Sequence, residues 1–92
     1  MIQSFACPET PALFESRLVK KFGNFERVAR RKLLMLNAAT QLKDLRIPPG
    51  NRLEALQGDR LGQYSIRINR QWRICFHWQQ DGAHAVEIVD YH

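Results

Sequence analysis

The second half of the chain alternates with a period of two, the signature of half-buried strands. Tyr64, Ile66 and Ile68 fall on one face of a strand over 63–69, and Ser65, Arg67 and Asn69 on the other. Residues 72–78 repeat the pattern, with Trp72, Ile74, Phe76 and Trp78 set against Arg73, Cys75 and His77. The final strand sets Val86 and Ile88 against Glu87, Val89 and Tyr91. The connections Arg70-Gln71 and Gln80-Asp81-Gly82 are short, which predicts antiparallel neighbours. A further strand is predicted over 52–56, followed by a glycine-bounded turn from Gly58 to Gly62.

The first half carries helical spacing. Met1 to Cys7 alternates loosely and predicts a short first strand ending before Pro8. Thr10 is the expected N-cap of a helix, with Pro11 at its first position. Phe14, Leu18 and Phe22 give that helix an apolar face, and Gly23 a stop. Asn24 is expected to cap a second helix reaching about Thr40, with Phe25, Ala29, Leu33 and Leu36 as its core stripe. Arg27, Arg30 and Arg31 then fall on the far side, with Leu34 among them. Leu34 reads either as a single exposed leucine or as a protein contact flanked by arginines. Pro48-Pro49-Gly50 forbids helix and central strand, so 41–51 is a connector. The order of strand, two helices and a meander predicts one α+β domain over 1–92. Its helices pack on the Tyr64/Ile66/Trp72/Ile74 face.

Composition adds a partner class. The 92 residues are 45% hydrophobic and 25% charged, an ordinary globular balance. No apolar run approaches the ~20 residues of a membrane span, and no secretory pattern opens the chain, so a cytoplasmic location is expected. Fourteen Lys and Arg against nine Asp and Glu give a net charge of +5. That favours a polyanion, most simply nucleic acid, or an acidic protein. Cys7 and Cys75 suggest no disulfide, and His77, His84 and His92 lack metal-ligand spacing, so no metal or cofactor is expected.

The chemistry gathers around the last strand. Asp90, Tyr91 and His92 end it, while Arg67 and Arg73 share the sheet face away from the helices. Cleaving RNA through its 2′-hydroxyl requires proton transfer, stabilisation of charge on the phosphate, and a held nucleotide. Histidine and carboxylate suit the first, arginine the second and a stacking tyrosine the third. The α-carboxylate of His92 favours its imidazolium and hence a role as acid. Taken singly, each has a structural alternative: a rim aromatic, a surface ion pair, a frayed end.

The segments Leu53-Glu54-Ala55-Leu56-Gln57-Gly58-Asp59-Arg60, Gln63-Tyr64-Ser65-Ile66-Arg67-Ile68-Asn69, Gln71-Trp72-Arg73-Ile74-Cys75-Phe76 and Val86-Glu87-Ile88-Val89-Asp90-Tyr91-His92 resemble the HigB toxins, including the GraT-like branch. These belong to the RelE/ParE superfamily of type II toxin–antitoxin systems. The resemblance covers essentially the whole chain. It implies a RelE-like fold with an antiparallel or mixed sheet of about four to five strands. It also implies a ribosome-dependent mRNA endonuclease that cuts message in the ribosomal A site without metal. The implied partners are the ribosome, mRNA and a HigA-type helix-turn-helix antitoxin, with operator DNA reached only through the toxin–antitoxin complex. Arg73, Asp90, Tyr91 and His92 are the implied catalytic residues. Arg67, Arg60 and Arg52 are expected to hold RNA phosphate, and Arg27, Arg31 and Leu34 to contact the antitoxin. Some HigB toxins carry a histidine and a lysine between Leu53 and Gly58, where this chain has Glu54 and Gln57. Glu54 is the candidate substitute base, and the loss of two cations predicts a milder toxin. The rival readings are a non-hydrolytic, ParE-like topoisomerase poison and a basic nucleic-acid-binding module.

Overall fold

The computed structural model describes residues 1–90. A four-stranded antiparallel sheet runs in chain order: β1 (Glu54–Ala55), β2 (Tyr64–Arg67), β3 (Trp72–Gln79) and β4 (Gly82–Asp90). Two helices, α1 (Glu9–Phe14) and α2 (Glu26–Ala38), precede it. The expected alternation holds through β2, β3 and the second half of β4. Ile66, Ile74, Phe76, Val86 and Ile88 face the helices and meet Leu13, Phe22, Leu33 and Leu36 in one core. Burial of this kind contributes roughly 1.5–3 kcal/mol for each large apolar side chain. Phe22 and Phe25 close the core at one end against Trp72, with ring centroids 5.7 and 5.1 Å away.

The expected α2 stripe is present, with Ala29, Leu33 and Leu36 fully buried, but the helix starts at Glu26, after Phe25 rather than Asn24. Arg30 is not on an outer face: its Nε donates to the Leu13 carbonyl at 3.1 Å. It joins the Ser16 N–H, which reaches the same carbonyl at 3.0 Å, and so gives this acceptor near the end of α1 a second donor.

The first helix is much shorter than its spacing predicts. It ends at Phe14, Ser16 takes a left-handed φ of 66°, and Phe22 returns on a separate 3₁₀ turn over Lys20–Phe25. Leu18 is therefore 82% exposed although it sits midway between two core-facing phenylalanines. Thr10 does not cap. The N-cap is Pro8, and the buried Thr10 hydroxyl accepts the Ile88 N–H at 3.1 Å. Covering a β4 edge donor outweighs a cap here, because an unmet buried N–H costs about 1–3 kcal/mol.

The expected first strand is reduced to two isolated parallel bridges, Ile2 to Ala83 and Phe5 to Val86. The reason lies in β4, which bulges at Ala85 (φ 51°) and shifts its register against β3 between Cys75 and His77. A bulged edge cannot carry an unbroken ladder. The Ser4 hydroxyl instead accepts the Ala85 N–H at 2.8 Å. The strand expected over 52–56 is also shorter, since Arg52 takes a left-handed φ of 46° and only Glu54 and Ala55 pair. Among the described residues no helix is long and apolar enough to cross a membrane.

Candidate active site on the outer sheet face

Register sets the outer face in rows. Glu54, Ser65, Cys75 and Glu87 stand side by side across the four strands. One step along, Arg67 pairs with Arg73 and Arg73 with Val89. The core residues of α1 and α2 pack on the opposite face, yet the centre of this one is also shielded from water. Ser65 and Cys75 are fully buried and Arg73 is 8% exposed.

Arg73 is the centre. A cation so enclosed must be partnered, since stripping water from it costs several kcal/mol. Its Nε donates to the Ser65 hydroxyl at 2.7 Å, and its Nη2 to the Arg52 carbonyl at 2.7 Å. The same Nη2 lies 3.4 Å from Glu54 Oε1. Ser65 is small enough to leave room for the guanidinium, and the left-handed turn at Arg52 aims its carbonyl inward. Left-handed backbone costs a non-glycine residue about 1–2 kcal/mol, which the charge-assisted bond to Arg73 helps offset. The Glu54 side chain is 52% exposed, so it meets both solvent and the guanidinium.

A second pair lies beside the first. Arg60 Nη1 donates to Glu87 Oε1 at 2.9 Å and to Gln63 Oε1 at 3.2 Å, with both charged side chains about a quarter to a third exposed. Cys75 lies within electrostatic reach of Arg60, and burial pushes the pKa of its thiol up. A buried, protonated thiol is a filler rather than a nucleophile. Arg67 differs from its cross-strand partner: it is half-buried, and its Nε is held by the Asn69 carbonyl at 3.0 Å.

The remaining sequence-derived candidates are less concentrated. The Arg52 side chain is exposed, and it is its carbonyl that enters the site. Asp90 stands opposite Trp72, on the helix side of the sheet, and accepts from Gln71 Nε2 at 3.0 Å. It is thus one face away from Arg73. Tyr91 and His92 lie outside the described residues. Arg27, Arg31 and Leu34 are exposed on α2, with Leu34 at 54%. Ser65, Glu87 and the Arg52 carbonyl were not singled out from the sequence. Period-two counting does put Ser65 and Glu87 on the arginine face, but nothing in the sequence foretells the left-handed Arg52. Among the described residues no group of three His, Cys, Asp or Glu side chains converges as a metal site.

Comparison with known proteins fits this architecture. Residues 15–92 match the model of the HigB-like toxins, described as RelE-like toxins of the type II toxin–antitoxin system HigB. The chain is 46% identical to Toxin HigB-1 of Vibrio cholerae over 70 residues, covering 76% of this chain and 73% of that protein. It is 32% identical to Endoribonuclease HigB of Proteus vulgaris over the full length of both. The chain in a YoeB–YefM complex from Staphylococcus aureus shares the fold, with a TM-score of 0.57 at 18% identity, covering 100% of this chain and 98% of that one. The matched span takes in both arginine pairs and every strand of the sheet, and on it the chain belongs to the HigB family of RelE-like toxins of type II toxin–antitoxin systems.

Proposed function

We propose that this toxin is a ribosome-dependent mRNA endonuclease whose active centre is the Arg73 face. The observation that carries the reading is Arg73 itself: a nearly buried guanidinium, fixed by Ser65 and the Arg52 carbonyl, beside an exposed carboxylate on the sheet face opposite the helix-packed core. A preorganised cation needs no reorientation when charge develops on a phosphate, and such groups contribute about 10²–10³ in rate. The Proteus vulgaris relative's name as an endoribonuclease points the same way.

In the proposed reaction the 2′-oxygen attacks the adjacent phosphorus, Glu54 takes the 2′ proton, and Arg73 stabilises the phosphorane. The bond to the 5′-oxygen then breaks, and His92 supplies that oxygen's proton. The products are a 2′,3′-cyclic phosphate and a 5′-hydroxyl. No metal is required. Tyr91 is assigned to stack on the nucleotide and Asp90 to position the strand end through Gln71. Arg67, Arg60 and Arg52 supply positive potential along the RNA path. A HigA-type antitoxin is assigned to the outer face of α2, at Arg27, Arg31 and Leu34, and operator DNA is reached only through that complex. With Glu54 and Gln57 in place of a histidine and a lysine, cleavage is milder than in relatives carrying those cations.

Primer extension on a message in a purified translation system tests this, with and without ribosomes. The reading expects cuts within codons, only with ribosomes, leaving cyclic phosphate and 5′-hydroxyl ends. Growth arrest without any cut would favour a topoisomerase poison. RNA binding without cuts or arrest would favour a simple nucleic-acid-binding module.

A further inference from the structure

A second cationic feature lies outside the row centred on Arg73. A groove of about 370 Å³ opens where α2 meets the β2–β3 turn. Arg31 and Lys32 line it from the helix, and Arg67 and Arg70 from the end of β2 and the turn. Among the described residues no acidic side chain lines it. Among the described residues none of the four cations has a carboxylate within salt-bridge distance, whereas Arg17, Lys21, Arg60 and Arg73 each have one.

Two of the cations are held in place by neutral groups. Lys32 Nζ donates to Oδ1 of the fully buried Asn51, whose own amide is fixed on the Leu45 carbonyl at 3.1 Å. Arg67 is held through Nε by the Asn69 carbonyl at 3.0 Å, and its terminal nitrogens have no partner among the described residues. These bonds orient the side chains and leave their charge uncompensated. Partial burial and the neighbouring Arg31 lower the pKa of Lys32, as expected for cations crowded without a counter-ion. Such crowding is unfavourable in the isolated protein and is relieved by an anion.

We propose that this groove holds the phosphodiester backbone of an RNA strand, as a binding site separate from the cleavage centre. Arg67 joins the two, because it pairs across the sheet with Arg73 and also lines the groove. A strand cut at Arg73 therefore runs past Arg67 towards Arg70 and Arg31, and Arg31, at the border of the antitoxin surface assigned above, is shared by the two ligands, which compete for it. The inference rests on the RNA-directed reading above, and the chemistry recognised is the phosphate backbone, whether of the message or of ribosomal RNA.

The test is binding rather than cleavage, so it stands apart from any failure of catalysis. The Kd of the full chain for a labelled single-stranded RNA of about 20 nucleotides is measured across a salt series, for wild type, Arg70→Gln and Arg31→Gln/Arg70→Gln. Both residues are exposed, so folding is little disturbed, and a thermal melt checks this. Each lost phosphate contact reduces the slope of log K against log salt by about 0.7. The single variant should therefore lose about 0.7 and the double about 1.4, with binding weakened on the order of twenty-fold near 0.1 M salt. Co-sedimentation with ribosomes separates the sources. A loss on the oligonucleotide alone identifies message, and a loss on ribosomes identifies ribosomal RNA. Unchanged slopes and unchanged ribosome binding would overturn the proposal. So would a loss confined to antitoxin binding, which would make the groove a protein contact.

Discussion

The two faces of the sheet are built by the same alternation and stabilised in opposite ways. The inner face buries Ile66, Ile74 and Phe76 against helices. The outer face also buries its centre, but with a serine, a thiol and an arginine. Inner packing is non-directional and tolerates repacking. The outer face depends on hydrogen bonds of fixed geometry, each with a named donor and acceptor. The first kind of burial keeps the protein folded. The second holds a charge at a defined point in space, which is what charge stabilisation in a transition state needs.

Substitutions that strike one face at a time should separate these roles. Ile74→Ala has the largest expected effect, a loss of about 2–5 kcal/mol read as a lower urea midpoint, because it leaves a cavity in a fully buried site. Arg73→Ala should spare most of that stability and lower cleavage by about 10²–10³. Arg73→Lys should rescue little, since an ammonium cannot hold Ser65 and the Arg52 carbonyl at once in a planar fork. Ser65→Ala is smaller, about 1–3 kcal/mol, because it removes the hydroxyl that accepts from Arg73 Nε in a buried setting. Its activity loss should exceed its stability loss if the hydroxyl mainly orients the guanidinium.

The smallest effect lies off both faces, at Asp44. Its carboxylate accepts the N–H groups of Gln41 and Thr40 at 3.0 and 3.1 Å, and these bonds, Gln41's first, hold its pKa below the usual range. A depressed carboxyl pKa gives stability that is present above the unfolded value and lost as pH falls through the folded one. Asp44→Asn should thus shift the urea midpoint slightly at pH 7, and the difference from wild type should vanish in acid.

Much of this was legible beforehand, for physical reasons. Period-two alternation is unambiguous in β2 and β3, so the placement of Ile66, Ile74, Arg67 and Arg73 followed from counting. The α2 stripe was equally clear. Helical spacing misled at Leu18, because three aromatic and aliphatic residues four apart fit one helix as well as two short turns with a break. Thr10 misled because its hydroxyl serves a strand 78 residues away rather than its own helix. The bulge at Ala85 and the left-handed Arg52 have no sequence marker, since neither is a glycine. The face that Asp90 takes was open from the sequence, because strand twist or a bulge can turn a strand-end residue either way. The partner of Asp90 across the ladder is Trp72.

The most direct test of the central claim is a single-turnover cleavage rate on ribosome-bound message, for wild type and Arg73→Ala, with thermal stability and antitoxin binding measured on the same preparations. The account predicts a rate lower by at least about a hundredfold, with melting and antitoxin affinity nearly unchanged. A variant that still binds antitoxin and cuts at the wild-type rate would contradict it and place the chemistry away from the Arg73 face.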